Sequence, residues 1–253
     1  MGPIGFSDID HQGMLVEGFD QLNMSITFFN HPYYLTHMEK LGLVKDIDWI
    51  EYKIRIPKEI NPQIKRIADR LIEKGEYRVE SYTDREVLQG EAFEAFKLID
   101  LAYSKLYGTV PLTEAIIQNV IDAYIPLVNL KYICSVKNKD GKIIAFAIML
   151  PSIAKALKKS NGKMLPLGIF RMIKALKGKN DTLEMFLIAV DPTLQSRGIP
   201  ALIIDHLLKV LWENGIQYCE TGPMLETNAA IHSLWRHFDK EQHKRRRCYI
   251  KKI

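Results

Sequence analysis

The amino-acid sequence predicts an α/β fold in which helices flank a mixed β-sheet. Strand-like and helix-like segments alternate along the chain from Tyr77 onward, as they do where helices cover the faces of a sheet. The stretch 138–141 contains the Asp-Gly pair of a tight hairpin turn and lies between two apolar runs. The chain has 253 residues, of which 47% are hydrophobic, so it can bury a substantial core.

Short polar or proline-containing stretches separate the predicted elements from one another. Helices begin after a capping residue, such as Thr83 or Asp84, and end near a glycine or proline, such as Gly75 and Pro126. Runs of apolar, β-branched and aromatic residues indicate the strands. In order we predict a helix at 63–74, a strand at 77–82, a long helix after 83 or 84, a helix at 113–124, strands at 131–136 and 143–150, helical patterns at 153–159 and 167–176, a strand at 183–190, a helix at 200–213, a strand at 216–220, a helix at 228–238 and a strand at 246–253.

The composition excludes several classes of protein. The longest apolar run, 143–150, is far shorter than the roughly 20 residues of a membrane-spanning helix. The first five residues lack the features of a secretory signal. Cys134, Cys219 and Cys248 lie far apart, which argues against a disulfide framework or a zinc cage and favours a reducing, cytoplasmic compartment. We therefore expect no metal, and the net charge of +5 is too small to indicate nucleic-acid binding.

Basic residues are concentrated in one segment and one cluster. Residues 151–180 contain eight lysines and arginines and no acid, and a second basic cluster spans 243–247. Such blocks attract phosphates, acidic lipids or acidic substrates, and they are equally often the solvated faces of helices and strands. The pattern over 153–176 predicts an amphipathic basic hairpin. We favour a lid or a dimer contact for it over binding to a membrane surface.

The stretch 183–202 combines a buried strand, a short polar turn and the start of a helix. The first main-chain amides of such a helix have no partners within it, and the helix dipole favours negative charge there. Gly198 lets the main chain approach a ligand closely, and Arg197 adds a positive charge. The segment therefore predicts an anion site, although a plain crossover from strand to helix would have the same pattern.

The residues Gln195, Ser196, Arg197, Gly198 and Ile199 resemble the diphosphate-binding loop of the GNAT (Gcn5-related N-acetyltransferase) superfamily of acyl-CoA-dependent acyltransferases. That loop reads Gln/Arg-x-x-Gly-x-Gly/Ala at the end of a strand and the start of a helix. The sixth position departs from this pattern, because it is Pro200 here. A proline removes one amide donor to the phosphates, although the first turn of a helix tolerates it. The resemblance implies a mixed, mostly antiparallel sheet flanked by helices. It also implies cofactor contacts from the loop and helix start, completed by Pro200 and Ala201, and from the strand at Ile188, Ala189 and Val190.

A later segment extends the resemblance. The corresponding helix of the family follows Asn-x-x-Ala-x-x-Leu-Tyr-x-x-x-Gly-Phe, and here Asn228, Leu234 and Trp235 keep the spacing of the asparagine, the leucine and the aromatic residue. Asn228 and Trp235 are therefore further implied cofactor contacts. A tryptophan cannot act as a general acid at ordinary pH, unlike the tyrosine that the family often has there.

Glu184 is the candidate general base. It precedes Val190 by six residues, as the glutamate base does in histone-type members of the family. On a regular strand it would share one face with Phe186, Ile188 and Val190, and that apolar setting would raise the pKa of its carboxyl. The alternative is a glutamate at an exposed strand entrance. Many members of the family work without one fixed base. We expect Cys219 to be a buried structural thiol rather than a nucleophile.

Two segments of the sequence share an order of features. Gly2-Pro3 and Gly222-Pro223 each precede an asparagine, a helix and a closing strand. We therefore predict that 1–56 is the C-terminal half of a second GNAT-like unit, 57–76 a linker with a short helix, and 77–253 a complete GNAT-like domain with 151–180 as a basic insertion. Such a half-unit would cover its sheet edge on the complete domain or on a second copy of the chain, and its loop 8–23 would line an acceptor pocket. Chance similarity is the alternative.

The resemblance implies an N-acyltransferase that transfers an acyl group directly from acetyl-CoA or another acyl-CoA. The expected acceptor is a small amine or an amino-acid-like molecule, and a homodimer is a further expectation. Pro200 and Trp235 favour a second interpretation, a catalytically degenerate module that binds CoA or another ligand. The basic hairpin favours a third, a long-chain acyltransferase that works at a membrane surface.

Overall fold

A computed structural model describes residues 1–5, 10–126 and 128–252 of the chain. Its strands, numbered in chain order, are β1 (Met14–Glu17), β2 (Val44–Arg55), β3 (Tyr77–Ser81), β4 (Ile133–Asn138), β5 (Ile143–Pro151), β6 (Thr182–Val190), β7 (Tyr218–Thr221), β8 (Met224–Leu225) and β9 (Lys240–Ile250). Its helices are α1 (Tyr33–Lys40), α2 (Pro62–Glu73), α3 (Arg85–Tyr103), α4 (Glu114–Tyr124), α5 (Ala154–Lys159), α6 (Gly168–Lys177), α7 (Ile199–Glu213) and α8 (Ala229–Leu234). Short 3₁₀ turns occur at Leu130–Tyr132, Gln195–Arg197 and Trp235–His237.

These strands form one sheet in the order β1-β9-β2-β7-β6-β5-β4-β3, and the short β8 pairs with β2 beside that path. Strands β6 and β7 are parallel, whereas the other paired strands of the described chain are antiparallel. The sheet is therefore mixed and mostly antiparallel. Together with the helices that cover it, this confirms the predicted fold class.

Helices cover both faces of the sheet through two separate apolar clusters. Successive residues of β5 alternate between these clusters: Ala145 and Ala147 pack with α7 and α2, whereas Phe146 and Ile148 pack with α3 and α4. Because neighbouring side chains of a strand point to opposite faces, the two clusters lie on opposite sides of the sheet. Helix α7 contributes buried residues along its whole length, since its sequence is apolar on most sides.

The helix starts follow local capping chemistry. Of the two candidates before α3, Asp84 is the cap, and its side chain accepts a hydrogen bond from the main-chain nitrogen of Glu86 at 2.8 Å. Thr113 caps α4 in the same way, and Asn61 caps α2 directly before its proline. These side chains satisfy amides that the first turn of a helix leaves without partners.

The N-terminal residues 1–56 contribute strands to the same sheet. Strand β2 lies between β7 and β9 and pairs with β9 from Val44 to Ile54, while β1 forms the edge beyond β9. Both edges of β2 are thus paired with strands from the rest of the chain, whereas β1 is itself an edge strand of the sheet. Its interpretation as half of a second GNAT-like unit, and the division at 57–76, stay predictions.

The last strand begins six residues earlier than the predicted 246–253, because β9 starts at Lys240. The basic cluster at 243–247 is neither a solvated face nor an open anion site. Lys244 and Arg246 are fully buried, and both contact the buried carboxylate of Glu51 on β2, at 3.0 Å and 2.6 Å. These two cations are therefore neutralised inside the protein. A run of basic residues in the sequence does not reveal that the strand containing it is buried.

The predicted helix over 228–238 is shorter in the structure. Helix α8 ends at Leu234, and the chain continues as a 3₁₀ turn through Trp235. The hairpin in the basic insertion forms as predicted, with α5 and α6 as its arms. Within the described residues, no helix has both the length and the apolar composition needed to cross a bilayer.

Candidate active site

The parallel strands β6 and β7 pair for only part of their length. Their register runs from Thr182 opposite Tyr218 to Met185 opposite Thr221, where β7 ends. Strand β6 continues for five more residues, to Val190, along β5. On the side of β7, this part of β6 pairs with no strand of the described residues. We call the space on that side the strand gap.

Main-chain groups of β6 face the strand gap. The nitrogen of Asp191 donates to the oxygen of Ile144 on the β5 side, and hydrogen-bonded pairs alternate along an antiparallel ladder. The main-chain groups of Ile188 and Val190 therefore point away from β5, into the gap. Two contacts agree with this direction, because the Ile188 oxygen accepts a hydrogen bond from the Tyr103 hydroxyl at 2.8 Å and the Val190 oxygen one from the Gln195 amide at 3.5 Å.

The predicted diphosphate loop lies between β6 and α7. Gln195, Ser196 and Arg197 form an exposed 3₁₀ turn. Gly198 follows with φ of +81°, a left-handed conformation that glycine adopts without strain, and it starts α7. A Cβ at this position would lie 2.6 Å from the Cγ2 atom of Ile67, so the loop packs closely against α2.

The start of α7 offers main chain rather than side chains to a ligand. Ile199 and Ala201 are buried in the cluster on the α7 face, and the Ala201 nitrogen bonds to the Gly198 oxygen at 2.9 Å. Pro200 lies in the first turn of the helix, where the sequence predicts that it is tolerated. Arg197 is thus the charged side chain among residues 195–201. Binding of a diphosphate by these residues stays a prediction.

An apolar cavity of about 180 Å³ passes through the strand gap. Its wall includes Met185 and Ile188 from β6, Leu207 from α7 on one face of the sheet, and Tyr103 from α3 on the other. The cavity therefore connects the two faces at the point where β6 and β7 separate. Among the predicted cofactor contacts, Ile188, Asn228 and Trp235 line this cavity, whereas the loop residues 195–201 lie outside its wall.

Two buried indole groups line the cavity without a hydrogen-bond partner. Trp49 on β2 and Trp235 after α8 are 1% and 5% exposed, and neither Nε1 atom bonds to any described residue. A buried donor without a partner is costly, so such groups indicate a place where a ligand or water accepts a hydrogen bond. Sequence reasoning missed Trp49, because nothing local connects β2 with β6.

Glu184 is fully buried and does not line the cavity. Its Oε2 atom accepts hydrogen bonds from the nitrogen and the hydroxyl of Ser25, at 3.0 and 2.6 Å, and its Oε1 atom accepts one from the Ser152 hydroxyl at 2.7 Å. Burial raises the pKa of this carboxyl, and the serine donors oppose that rise. This geometry contradicts the alternative of an exposed strand entrance. It makes Glu184 a tether between an N-terminal loop and Ser152, the residue directly after β5. Its role as a base stays a prediction.

One prediction about β6 is wrong: its residues Glu184, Phe186, Ile188 and Val190 do not all share one face of the sheet. A β-bulge lies in β6, because Met149 and Ile148 of β5 face Met185 and Leu187, leaving Phe186 as the extra residue. The bulge reverses the alternation, so Ile188 and Val190 pack on the α7 face while Phe186 packs on the α3 face. Strand periodicity alone does not reveal a bulge.

The loop between β1 and α1 closes over this region and is held by buried polar groups. Arg246 donates to the Phe28 oxygen at 2.6 Å and to the Asn23 side-chain oxygen at 2.7 Å, and Lys244 donates to the Leu22 oxygen at 3.1 Å. Ile26 of this loop lines the cavity, as do Asp10 and Gln12. The loop predicted to line an acceptor pocket, 8–23, thus contributes to the wall, although residues 6–9 lie outside the described chain.

Cys219 and His232 have structural roles. Burial raises the pKa of the Cys219 thiol to about 12, which keeps it protonated and inert as a nucleophile, as the sequence predicts. His232 bonds to the Leu225 oxygen at 2.9 Å and to the Tyr52 hydroxyl at 3.3 Å, which fixes α8 against β2 and β8. In the described part of the chain, no three His, Cys, Asp or Glu side chains gather as metal ligands.

Comparison with solved structures identifies the fold. A GCN5-related N-acetyltransferase from Sphaerobacter thermophilus superposes with a TM-score of 0.52 at 10% identity, covering 93% of this chain and 57% of that one. A tandem GNAT protein from the clavulanic acid biosynthesis pathway superposes with a TM-score of 0.51 at 9% identity, covering 94% and 62%. The chain therefore has the fold of the GNAT superfamily, as the resemblance at residues 195–199 implies.

Two curated proteins are similar over the full length of the chain, whereas no protein-family model matches it. Over 260 aligned residues it is 26% identical to Protein YghO of Escherichia coli (strain K12). It is 23% identical to Bacterial ceramide synthase of Caulobacter vibrioides (strain NA1000 / CB15N), also over 260 residues. The chain spans 65% and 66% of the length of these two relatives.

Proposed function

We propose that this chain is an acyl-CoA-dependent N-acyltransferase whose cosubstrate enters the strand gap and whose acceptor amine reaches it through the cavity. The observation that carries the proposal is the separation of β6 from β7. It opens a path through the sheet beside main-chain groups that pair with no strand of the described residues. The fold and the similarity to a ceramide synthase support acyl transfer as the reaction class.

The residues around the gap fit an extended amide-containing chain. The main-chain nitrogens of Ile188 and Val190 face the gap and are suited to hold the pantetheine arm and the thioester carbonyl. Acyl-CoA supplies a thioester, whose carbonyl carbon takes the amine nitrogen as the C–S bond breaks, giving an amide and the CoA thiol. The indole N–H of Trp235, which has no partner among the described residues, is suited to donate to an oxygen or sulfur of that group. The proton of the attacking amine leaves through water, so no carboxylate base is needed.

The cavity favours an apolar substrate. Its wall is built mainly of aliphatic and aromatic side chains, including Ile204, Leu208 and Leu211 of α7. Such a wall stabilises a hydrocarbon chain but offers few partners to a charged amino acid. We therefore propose an acyl chain or an acceptor amine with an apolar tail, which revises the expectation of a small, amino-acid-like acceptor. Ceramide, the product in the name of one relative, is an amide of this class.

Release of the CoA thiol from acyl-CoAs of increasing chain length, with a panel of amines, tests the proposal. Ile231 on α8 is half-buried in the cavity wall, so Ile231→Trp fills the cavity and is expected to abolish turnover of long chains. Ile116→Trp places the same ring on the exposed surface of α4, outside the cavity wall, and is the matched control. Equal loss of turnover in both variants, or thiol release unchanged by Ile231→Trp, would refute the assignment of the cavity.

A non-catalytic binding module is the second candidate, and Pro200 and Trp235, which depart from the residues of the family at these positions, favour it. The two functions differ in one readout. A binding module is stabilised against heat by acyl-CoA or CoA without thiol release on any amine, whereas the proposed enzyme shows both.

A further inference from the structure

The α5–α6 hairpin exposes apolar side chains at its tip. Leu165 is 77% exposed and Phe170 67%, which makes Leu165 the most exposed large apolar residue of the described chain. Met164, Leu167 and Ile173 are exposed as well. Leu167 directly precedes α6, and Phe170 and Ile173 follow on the helix at intervals of three residues, so the three form one stripe that continues from the turn. A contiguous exposed apolar stripe along one arm of a hairpin indicates a binding surface.

The same hairpin carries only positive charge. Its flanks and helices contain eight lysines and arginines between residues 151 and 180 and no acid. Lys155 pairs with Asp181 at 2.7 Å, and no other cation of this segment forms an ion pair with a described residue. These cations therefore remain available to an external anion.

Several of these cations line one groove at the base of the hairpin. Lys159, Arg171, Lys174 and Lys179 face an open groove of about 780 Å³ together with Asn180. Two carboxylates, Asp181 and Glu213, also line this groove, and Asp181 is paired with Lys155. Arg171 is fixed there by hydrogen bonds to the Lys159 oxygen at 3.0 Å and the Ser160 hydroxyl at 3.3 Å. Cations outnumber carboxylates in this groove, and its guanidinium, ammonium and amide donors suit phosphate groups.

Charge complementarity selects the occupant of this surface. A second copy of the hairpin would bring like charges together around the apolar stripe, which disfavours a symmetric dimer through this face. The surface of an anionic bilayer satisfies both features, because apolar side chains enter the boundary between headgroups and acyl chains while lysines and arginines contact the phosphates.

We propose that the α5–α6 hairpin docks the protein on anionic phospholipid membranes, with Leu165, Leu167 and Phe170 inserted at the headgroup boundary. Ser152, directly before the hairpin, bonds through its main-chain nitrogen to the Thr182 oxygen and through its hydroxyl to Glu184, both on β6. The docking surface is thus joined to the strand that borders the gap. Docking itself does not require the proposed acyl transfer.

Co-sedimentation of the full chain with lipid vesicles tests the proposal. We expect binding to vesicles of phosphatidylcholine with phosphatidylglycerol, weak binding to phosphatidylcholine alone, and loss of binding as salt rises well above about 0.1 M. The double variant Leu165→Ser/Phe170→Ser is expected to bind at least about tenfold more weakly. Replacing Lys158, Lys163 and Lys174 by glutamine removes up to about fivefold in affinity per lysine.

A matched control replaces apolar residues with similar exposure elsewhere. Val87→Ser/Leu101→Ser alters two exposed positions on α3, at 52% and 54%, and is expected to leave vesicle binding unchanged. Phe170→Trp keeps the apolar character and is expected to shift its fluorescence to the blue on vesicle addition, because the indole leaves water.

Three results would overturn the proposal: equal binding to neutral and anionic vesicles, unchanged binding of Leu165→Ser/Phe170→Ser, or a self-association of the chain that this double variant abolishes. The last result would assign the stripe to a contact between copies. Thiol release from a soluble acyl-CoA is measured in parallel without lipid. It reports on the proposed activity separately, so failure of docking and failure of catalysis are distinguished.

Discussion

Replacing Glu184 by glutamine distinguishes a tether from a general base. The amide is nearly isosteric with the carboxylate, and its oxygen can accept both hydrogen bonds that Ser25 donates. Its NH₂ group can donate to the Ser152 hydroxyl, which reverses one bond without losing it. The substitution also removes a buried carboxyl whose pKa is raised by desolvation, and this offsets part of any loss.

The magnitudes for the two roles are far apart. If Glu184 is a tether, Glu184→Gln changes the free energy of unfolding by about 1 kcal/mol or less, and kcat stays within about threefold of the wild type. If it is a general base, kcat falls by about 100- to 10,000-fold with little change in stability. Glu184→Ala is a sharper perturbation of the tether, because it leaves the Ser25 nitrogen unpaired, and we expect a loss of about 2–4 kcal/mol.

Urea unfolding and thiol release on the same preparations measure both quantities. Ser152→Ala is a useful control, because it removes one donor to Glu184 without touching the carboxyl group. A fall in kcat of more than about 100-fold in Glu184→Gln, with unfolding unchanged and Ser152→Ala fully active, would refute the tether and support the base.

Three further predictions concern the loop, the buried histidine and the cavity. Gly198→Ala is expected to lose about 1–3 kcal/mol of unfolding free energy, because φ is +81° and the new methyl meets Ile67, whereas Gly90→Ala in the open middle of α3 should gain about 0.5–1 kcal/mol; urea titration of both measures the contrast. Burial and two nearby lysines lower the pKa of His243 to about 3, whereas the unfolded value is near 6.5. The neutral histidine therefore costs the folded state nothing above pH 6.5, and the free energy of unfolding falls by about 1.4 kcal/mol per pH unit between pH 6.5 and 3. His243→Gln should remove that share of the slope, and an unchanged slope would contradict the prediction. Trp235→Phe removes the unpaired indole donor, and we expect kcat/KM for acyl-CoA to fall about three- to tenfold, with full activity as the contrary result.

Local sequence features predicted the elements that build the site. The apolar run of β6, the glycine turn at Gly198 and the apolar periodicity of α7 each depend on neighbouring residues, and the structure has them at the predicted places. The hairpin arms β4 and β5 and the cap Asp84 are equally local. Such features are accessible to a single sequence, because their energetics involve contacts within a few residues.

Long-range contacts account for what the sequence did not predict. Arg246 pairs with Glu51, which lies 195 residues earlier, and one of the two hydroxyls that contact Glu184 belongs to Ser25, 159 residues earlier. The neighbouring sequence of a buried, paired charge is like that of an exposed one. For this reason the predicted last strand is too short, and its basic cluster is predicted to be solvated or open to anions although two of its side chains are buried. The bulge at Phe186 depends on the register with β5, which periodicity does not determine.

A crystal structure of the chain with a non-hydrolysable acyl-CoA tests the central claim most directly. We predict that the pantetheine arm lies in the strand gap with its amides on the main chain of Ile188 and Val190, that the diphosphate lies at the turn before α7, and that the acyl chain enters the cavity beside Trp235. Density for the ligand elsewhere on the protein, or an empty gap at a ligand concentration that calorimetry shows to be saturating, would contradict the claim.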